Sequence, residues 1–105
     1  MSGTVIEITN SAEEESVIAN NDRAVIFFGS VRCGHCRTMA PIIETMAKDY
    51  PSIAFAHVEV TEVDVENVGG VPVFVGYKYQ APVDVIVGAN PKLLKQMIET
   101  KIDDL

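Results

Sequence analysis

Cys33 and Cys36 are the two cysteines of a 105-residue chain, spaced CxxC in Cys33-Gly34-His35-Cys36. They stand at a junction between two patterns. Ala24 to Phe28 reads as a buried strand and Gly29-Ser30 as the turn out of it. From Cys33 onward Met39, Ile42, Ile43 and Met46 recur at helical spacing. A helix start presents N–H groups with no intrahelical partner and a partial positive charge. A thiolate placed there is stabilised. Arg32 and Arg37 add positive charge on either side, and His35 adds more when protonated. At i and i+3 the two sulfurs share a helix face and can close a disulfide at its tip. The chemistry these residues point to is thiol–disulfide exchange.

Two other uses of a cysteine pair are weaker. A closed zinc site takes four ligands, and no second cysteine pair exists; beyond His35, inside the loop itself, only His57 remains. No metal is therefore expected. As a structural staple the pair would close a very short loop, and stabilisation by a disulfide grows with loop length.

The elements that must position the dithiol follow from the rest of the chain. Val5 to Ile8 reads as a short strand. Ser11-Ala12-Glu13-Glu14 has capping-box spacing and opens a helix carrying Val17 and Ile18, closed by Asn20-Asn21. Residues 24–28 form the central strand and 33–49 the helix that begins at the cysteines. Tyr50-Pro51-Ser52 ends that helix, because proline cannot continue the ladder. Residues 53–60 form a third strand. In 61–68 a strand pattern (Val63, Val65) competes with a short helix capped by Thr61. Residues 71–75 read as a fourth strand and 82–87 as a fifth, with Pro82 marking an edge. Asn90-Pro91 supplies an N-cap and a proline at the first helical position. Leu93, Leu94, Met97, Ile98 and Ile102 then form an apolar stripe.

Composition narrows the class. At 105 residues one domain, spanning 1–105, is expected, and 48 % hydrophobic residues exclude a disordered chain. A net charge of −7 leaves no basic stripe for a phosphate backbone, so nucleic acid is not an expected partner. The N-terminus lacks the charged start and apolar core of a signal peptide, and no run reaches transmembrane length. A cytoplasmic monomer away from membranes is therefore expected, and there a lone CxxC is more often catalytic than structural.

Beyond the dithiol, the chain resembles the thioredoxin superfamily. Cys33-Gly34-His35-Cys36 at a strand-to-helix junction carries the dipeptide typical of protein disulfide isomerases. Pro41 is similar to the proline within that family's active-site helix, Gly70-Val71-Pro72 to its cis-proline segment, and Gly88 to the glycine before its last helix. The resemblance implies an α/β thioredoxin fold, a central mixed sheet flanked by helices in the order β-α-β-α-β-α-β-β-α. It implies that Pro72 lies cis against the dithiol and that Val71 offers its backbone to an extended client segment by strand addition. Val31, Val71, Gly88 and Ala89 would rim the pair.

Three departures stand out. Arg32 occupies the place of the family's usual Trp, and Phe27 that of its usual buried acid. His57 aligns on the third strand where many members carry Lys. Strand alternation puts Phe55, His57 and Glu59 on one face. His57, held by Glu59, is thus a candidate base for Cys36, beside the simpler reading of a packed or surface histidine.

The function expected is a thiol–disulfide oxidoreductase acting on client protein disulfides. Cys33 attacks, and Cys36, one turn deeper, resolves the mixed disulfide. No organic cofactor is implied; an external, thioredoxin-reductase-like partner would supply electrons. Two rivals remain. One is the same chemistry run as an oxidase or isomerase, favoured by His35. The other is a redox-inert module holding peptide in the Val71 groove.

Overall fold

The computed structural model describes residues 4–30, 33–60 and 72–103. Among the described residues five strands form one mixed sheet: β1 (Val5–Ile8), β2 (Arg23–Gly29), β3 (Ala54–Glu59), β4 (Val73–Lys78) and β5 (Ala81–Val87). Their spatial order is β1-β3-β2-β4-β5. β1 and β2 run parallel to β3, while β4 is antiparallel to both β2 and β5. Three helices among the described residues flank the sheet: α1 (Ser11–Asn20), α2 (Gly34–Asp49) and α3 (Pro91–Met97), which continues as a π-helical turn through Ile98–Ile102. No helix among the described residues is long and apolar enough to cross a membrane.

Residues 24–28 of β2 are all apolar because both faces of the strand are covered. Val25 and Phe27 face a core shared with Met39, Ile43 and Met46 of α2 and with Leu94, Met97 and Ile98 of the last helix. Ala24 and Ile26 face the opposite side, where Val17 of α1 and Ile8 and Ala56 complete a smaller core. The two cysteines belong to the first of these cores.

Several expectations shift by a residue or two, each for a local reason. The cap of α1 is Asn10 rather than Ser11: Asn10 Oδ1 accepts from the Glu13 N–H at 2.9 Å, and Glu13 reaches back to the Thr9 N–H at 2.6 Å. Asn10 thus supplies the cap half of a capping box one residue upstream, while Glu13 bonds the N–H before the cap and not that of the cap itself. β4 runs to Lys78, beyond the residue 75 expected, because a tight hairpin follows. Tyr79 and Gln80 take it at φ 52° and 68°, the backbone of a type I′ turn without its usual Asn-Gly signal. The Tyr79 N–H donates to the Asp22 carbonyl at 2.7 Å, which anchors that turn. Leu93 leaves the apolar stripe for solvent, while Leu94, Met97, Ile98 and Ile102 are buried. β5 is the sheet edge expected from Pro82. The expected short element at 61–68 lies outside the described residues.

Candidate functional site

α2 starts where the β2 chain turns out of the sheet. The Cys33 N–H donates to the Ser30 carbonyl at 3.0 Å, and Cys33 takes the N-cap position at φ −92°, ψ 116°. Its Sγ accepts the Cys36 backbone N–H at 3.1 Å. That N–H is one of the orphan donors of a helix start. It is therefore placed to meet negative charge as it develops on the Cys33 sulfur.

Both cysteines are reduced, and both are 4 % exposed. Their exposure does not differ; what separates them is chemical. Burial first, then the hydrogen bond to Cys33, pushes the Cys36 thiol up to about 11. A backbone hydrogen bond from Ser30 pulls the other way and is outweighed. Cys36 therefore rests as a thiol. Gly29 makes room for it, since a Cβ there would stand 3.1 Å from Cys36 Sγ and 2.7 Å from the Phe27 ring.

Several of the other expected residues lie among the described ones. Gly34 and His35 are exposed in the first turn of α2, and the Arg37 side chain lies on the Gly34 side of that turn. Pro41 sits inside α2. Pro72 is buried, and its carbonyl accepts the Gly88 N–H at 2.8 Å, with Gly88 at φ 108° where only glycine sits without strain. Ala89 next to it is exposed. Val31, Arg32 and Val71 lie outside the described residues, and so does the Val71–Pro72 peptide bond; no cis bond occurs among the described ones.

His57 is near the dithiol, but Glu59 is not what holds it. Its Nδ1 is 2.8 Å from Glu7 Oε1 on β1, while Nε2 is 3.7 Å from Glu59 Oε1. The sheet register explains this, because His57 pairs with Glu7 on one side and with Phe27 on the other. The Phe27 ring lies 5.0 Å from the imidazole and 4.9 Å from the Phe74 ring, giving a packed row across four strands. A cavity of about 100 Å³ opens over this row, lined by Cys36, His57, Glu7, Glu59, Ser30 and Arg37 among others. Glu7 was not foreseen. Alternation along β1 places it opposite Ile8, but only the β1–β3 pairing puts it beside His57.

Comparison with known proteins agrees with the geometry. The Thioredoxin family model matches residues 4–100. Thioredoxin 1 of Plasmodium falciparum is 38 % identical over 96 residues, which is 88 % of this chain and 92 % of that protein. Thioredoxin-2 of Saccharomyces cerevisiae is 35 % identical over 103 residues, 93 % of this chain and 99 % of its own length. Among solved structures, Plasmodium falciparum thioredoxin superposes with a TM-score of 0.79 at 35 % identity, covering 92 % of this chain and 99 % of that one. Oxidised mitochondrial thioredoxin 3 from Saccharomyces cerevisiae superposes at 0.77 with 33 % identity, covering 90 % and 92 %. With its reduced cysteine pair seated at a helix start against the same five-stranded sheet, the chain belongs to the thioredoxin family, and it is a thiol–disulfide oxidoreductase.

Proposed function

We propose that this protein reduces disulfides of client proteins in the cytoplasm, with Cys33 as the attacking sulfur and Cys36 as the resolving one. The observation that carries the order is the contrast between a Cys33 sulfur receiving a helix-terminal N–H and a Cys36 thiol pushed up to about 11. Cys33 thiolate attacks one sulfur of the client disulfide, forming a mixed disulfide and releasing the other client sulfur as thiolate. Cys36, once deprotonated, attacks Cys33 Sγ. The Cys33–Cys36 bond forms, the Cys33–client bond breaks, and the client leaves reduced by two electrons. A dithiol–disulfide reductase partner then returns two electrons to Cys33 and Cys36.

Client chains would lie across Val31, Val71, Pro72, Gly88 and Ala89, pairing with the Val71 backbone beside a cis Pro72. The Gly88-to-Pro72 hydrogen bond supports this groove because it ties its two segments together. Arg32, Gly34, His35 and Arg37 would tune the pair in its CGHC setting. The test is trapping. Cys36→Ser should accumulate mixed disulfides with client proteins, and Cys33→Ser should accumulate none; the reverse pattern would refute the assignment.

A further inference from the structure

Resolution requires Cys36 to give up a proton in an apolar setting, where its thiol is pushed up to about 11. The strand it rests on offers no acceptor, since Phe27 of β2 is a hydrocarbon. The cavity over Cys36 does. The ionisable groups lining it are Glu7 from β1, His57 and Glu59 from β3, and Arg37 and Glu44 from α2. Arginine stays charged at any working pH and cannot take a proton.

We propose that His57, oriented by Glu7, is the proton acceptor for Cys36 when the mixed disulfide is resolved. A carboxylate only accepts hydrogen bonds, so the 2.8 Å contact to Glu7 places the imidazole hydrogen on Nδ1 and leaves the Nε2 lone pair free. At 3.7 Å, Glu59 is too far for a hydrogen bond to Nε2. It is close enough to stabilise the imidazolium once formed. Phe27 against the imidazole fixes the ring in its row. Cys36 and His57 line the same cavity of about 100 Å³, which has room for a water to carry the proton between them.

The step balances. The Cys36 S–H proton passes to Nε2, the Cys36 sulfur pair forms the bond to Cys33 Sγ, and the client sulfur departs as thiolate. The imidazolium then releases its proton to solvent. Glu7 is a positioning residue in this scheme: it fixes the tautomer and the orientation of the ring without touching a sulfur.

This inference rests on the Cys33-then-Cys36 order proposed above, and one experiment separates the two. The reduced full chain is mixed with insulin in single turnover and acid-quenched, so that mixed disulfide and released thiol are counted separately between pH 5 and 9. Histidine charges across that range. The wild-type resolution rate should therefore fall as the pH is lowered, and His57→Gln should lose that limb. Resolution in His57→Gln should slow by about 10- to 1000-fold, overlapping the span usual for general bases. Formation of the mixed disulfide should be unaltered. Glu7→Gln, at an exposed position, should keep the fold and slow resolution by a smaller factor with a shifted profile. Two results overturn the proposal: a wild-type resolution rate and pH profile in His57→Gln, or equal slowing of both steps with the profile unmoved. If His57→Gln does not fold, an unchanged rate and profile in Glu7→Gln overturns it. Absence of mixed disulfide in Cys36→Ser would instead refute the order of attack itself.

Discussion

At the scale of single residues, the two sulfurs are equally buried and differ in what they face. Cys33 receives a backbone N–H from the first turn of α2, while Cys36 is buried as a thiol beside it. Reduced protein should accordingly react with a disulfide reagent at Cys33 first, as peptide mapping of the first adduct would show; an adduct on Cys36 would contradict the geometry. His35 is exposed in the same first turn of α2. A protonated imidazole stabilises the dithiolate side and not the disulfide. His35→Pro should therefore make the pair more reducing by some tens of millivolts, where about 30 mV corresponds to about 1.4 kcal/mol for two electrons. Equilibration against glutathione measures this, and an unchanged potential removes His35 as a tuning element.

At the scale of elements, the core that the cysteines share depends on how closely the last helix approaches the sheet. Gly76 on β4 permits it: a Cβ there would stand 2.7 Å from Ile102 Cδ1 and 3.1 Å from the Met97 thioether. Gly76→Ala should destabilise by about 1–3 kcal/mol, the usual range for overpacking. Ile102→Val removes the offending methyl, so in that background the same change should cost less. Urea unfolding of the four proteins closes this cycle, and strict additivity would show that Ile102 is not the obstacle. Removing a cap is a milder local change. Asn90 Oδ1 accepts the Leu93 N–H at 3.0 Å, and Asn90→Ala should cost about 1 kcal/mol.

At the scale of the whole molecule, burying a thiol and a phenol ties stability to pH. The unfolded chain ionises cysteine near 9.0, whereas in the fold burial holds the Cys36 thiol to about 11. Because the folded value is the higher one, this contribution is fully present below about pH 9. It is lost as pH rises to about 11. Tyr50, raised from 10.0 to about 12 by burial and by its hydrogen bond to Glu99, extends the loss upward. Thermal unfolding of the reduced protein should therefore shift to lower temperature above pH 9. Cys36→Ala should flatten the part between pH 9 and 11, and an identical slope in the variant would assign the loss to other groups.

Much of this was written in the chain. The CxxC spacing, the apolar run of 24–28 and the helical period from Met39 to Met46 determine a dithiol at a strand-to-helix junction, because those signals are local and periodic. Asn90-Pro91 determines the start of the last helix for the same reason. Other features arise from pairing between distant segments. The turn at Tyr79-Gln80 holds positive φ without glycine because Asp22, far away in sequence, accepts its N–H. The partner of His57 is Glu7 rather than Glu59 because β1 lies against β3 in a register that sets the two residues side by side. Alternation tells which face a residue occupies, but only the sheet decides which strand lies next to it. The carboxylate that orients the imidazole, fifty positions away along the chain, belongs to the tertiary structure alone.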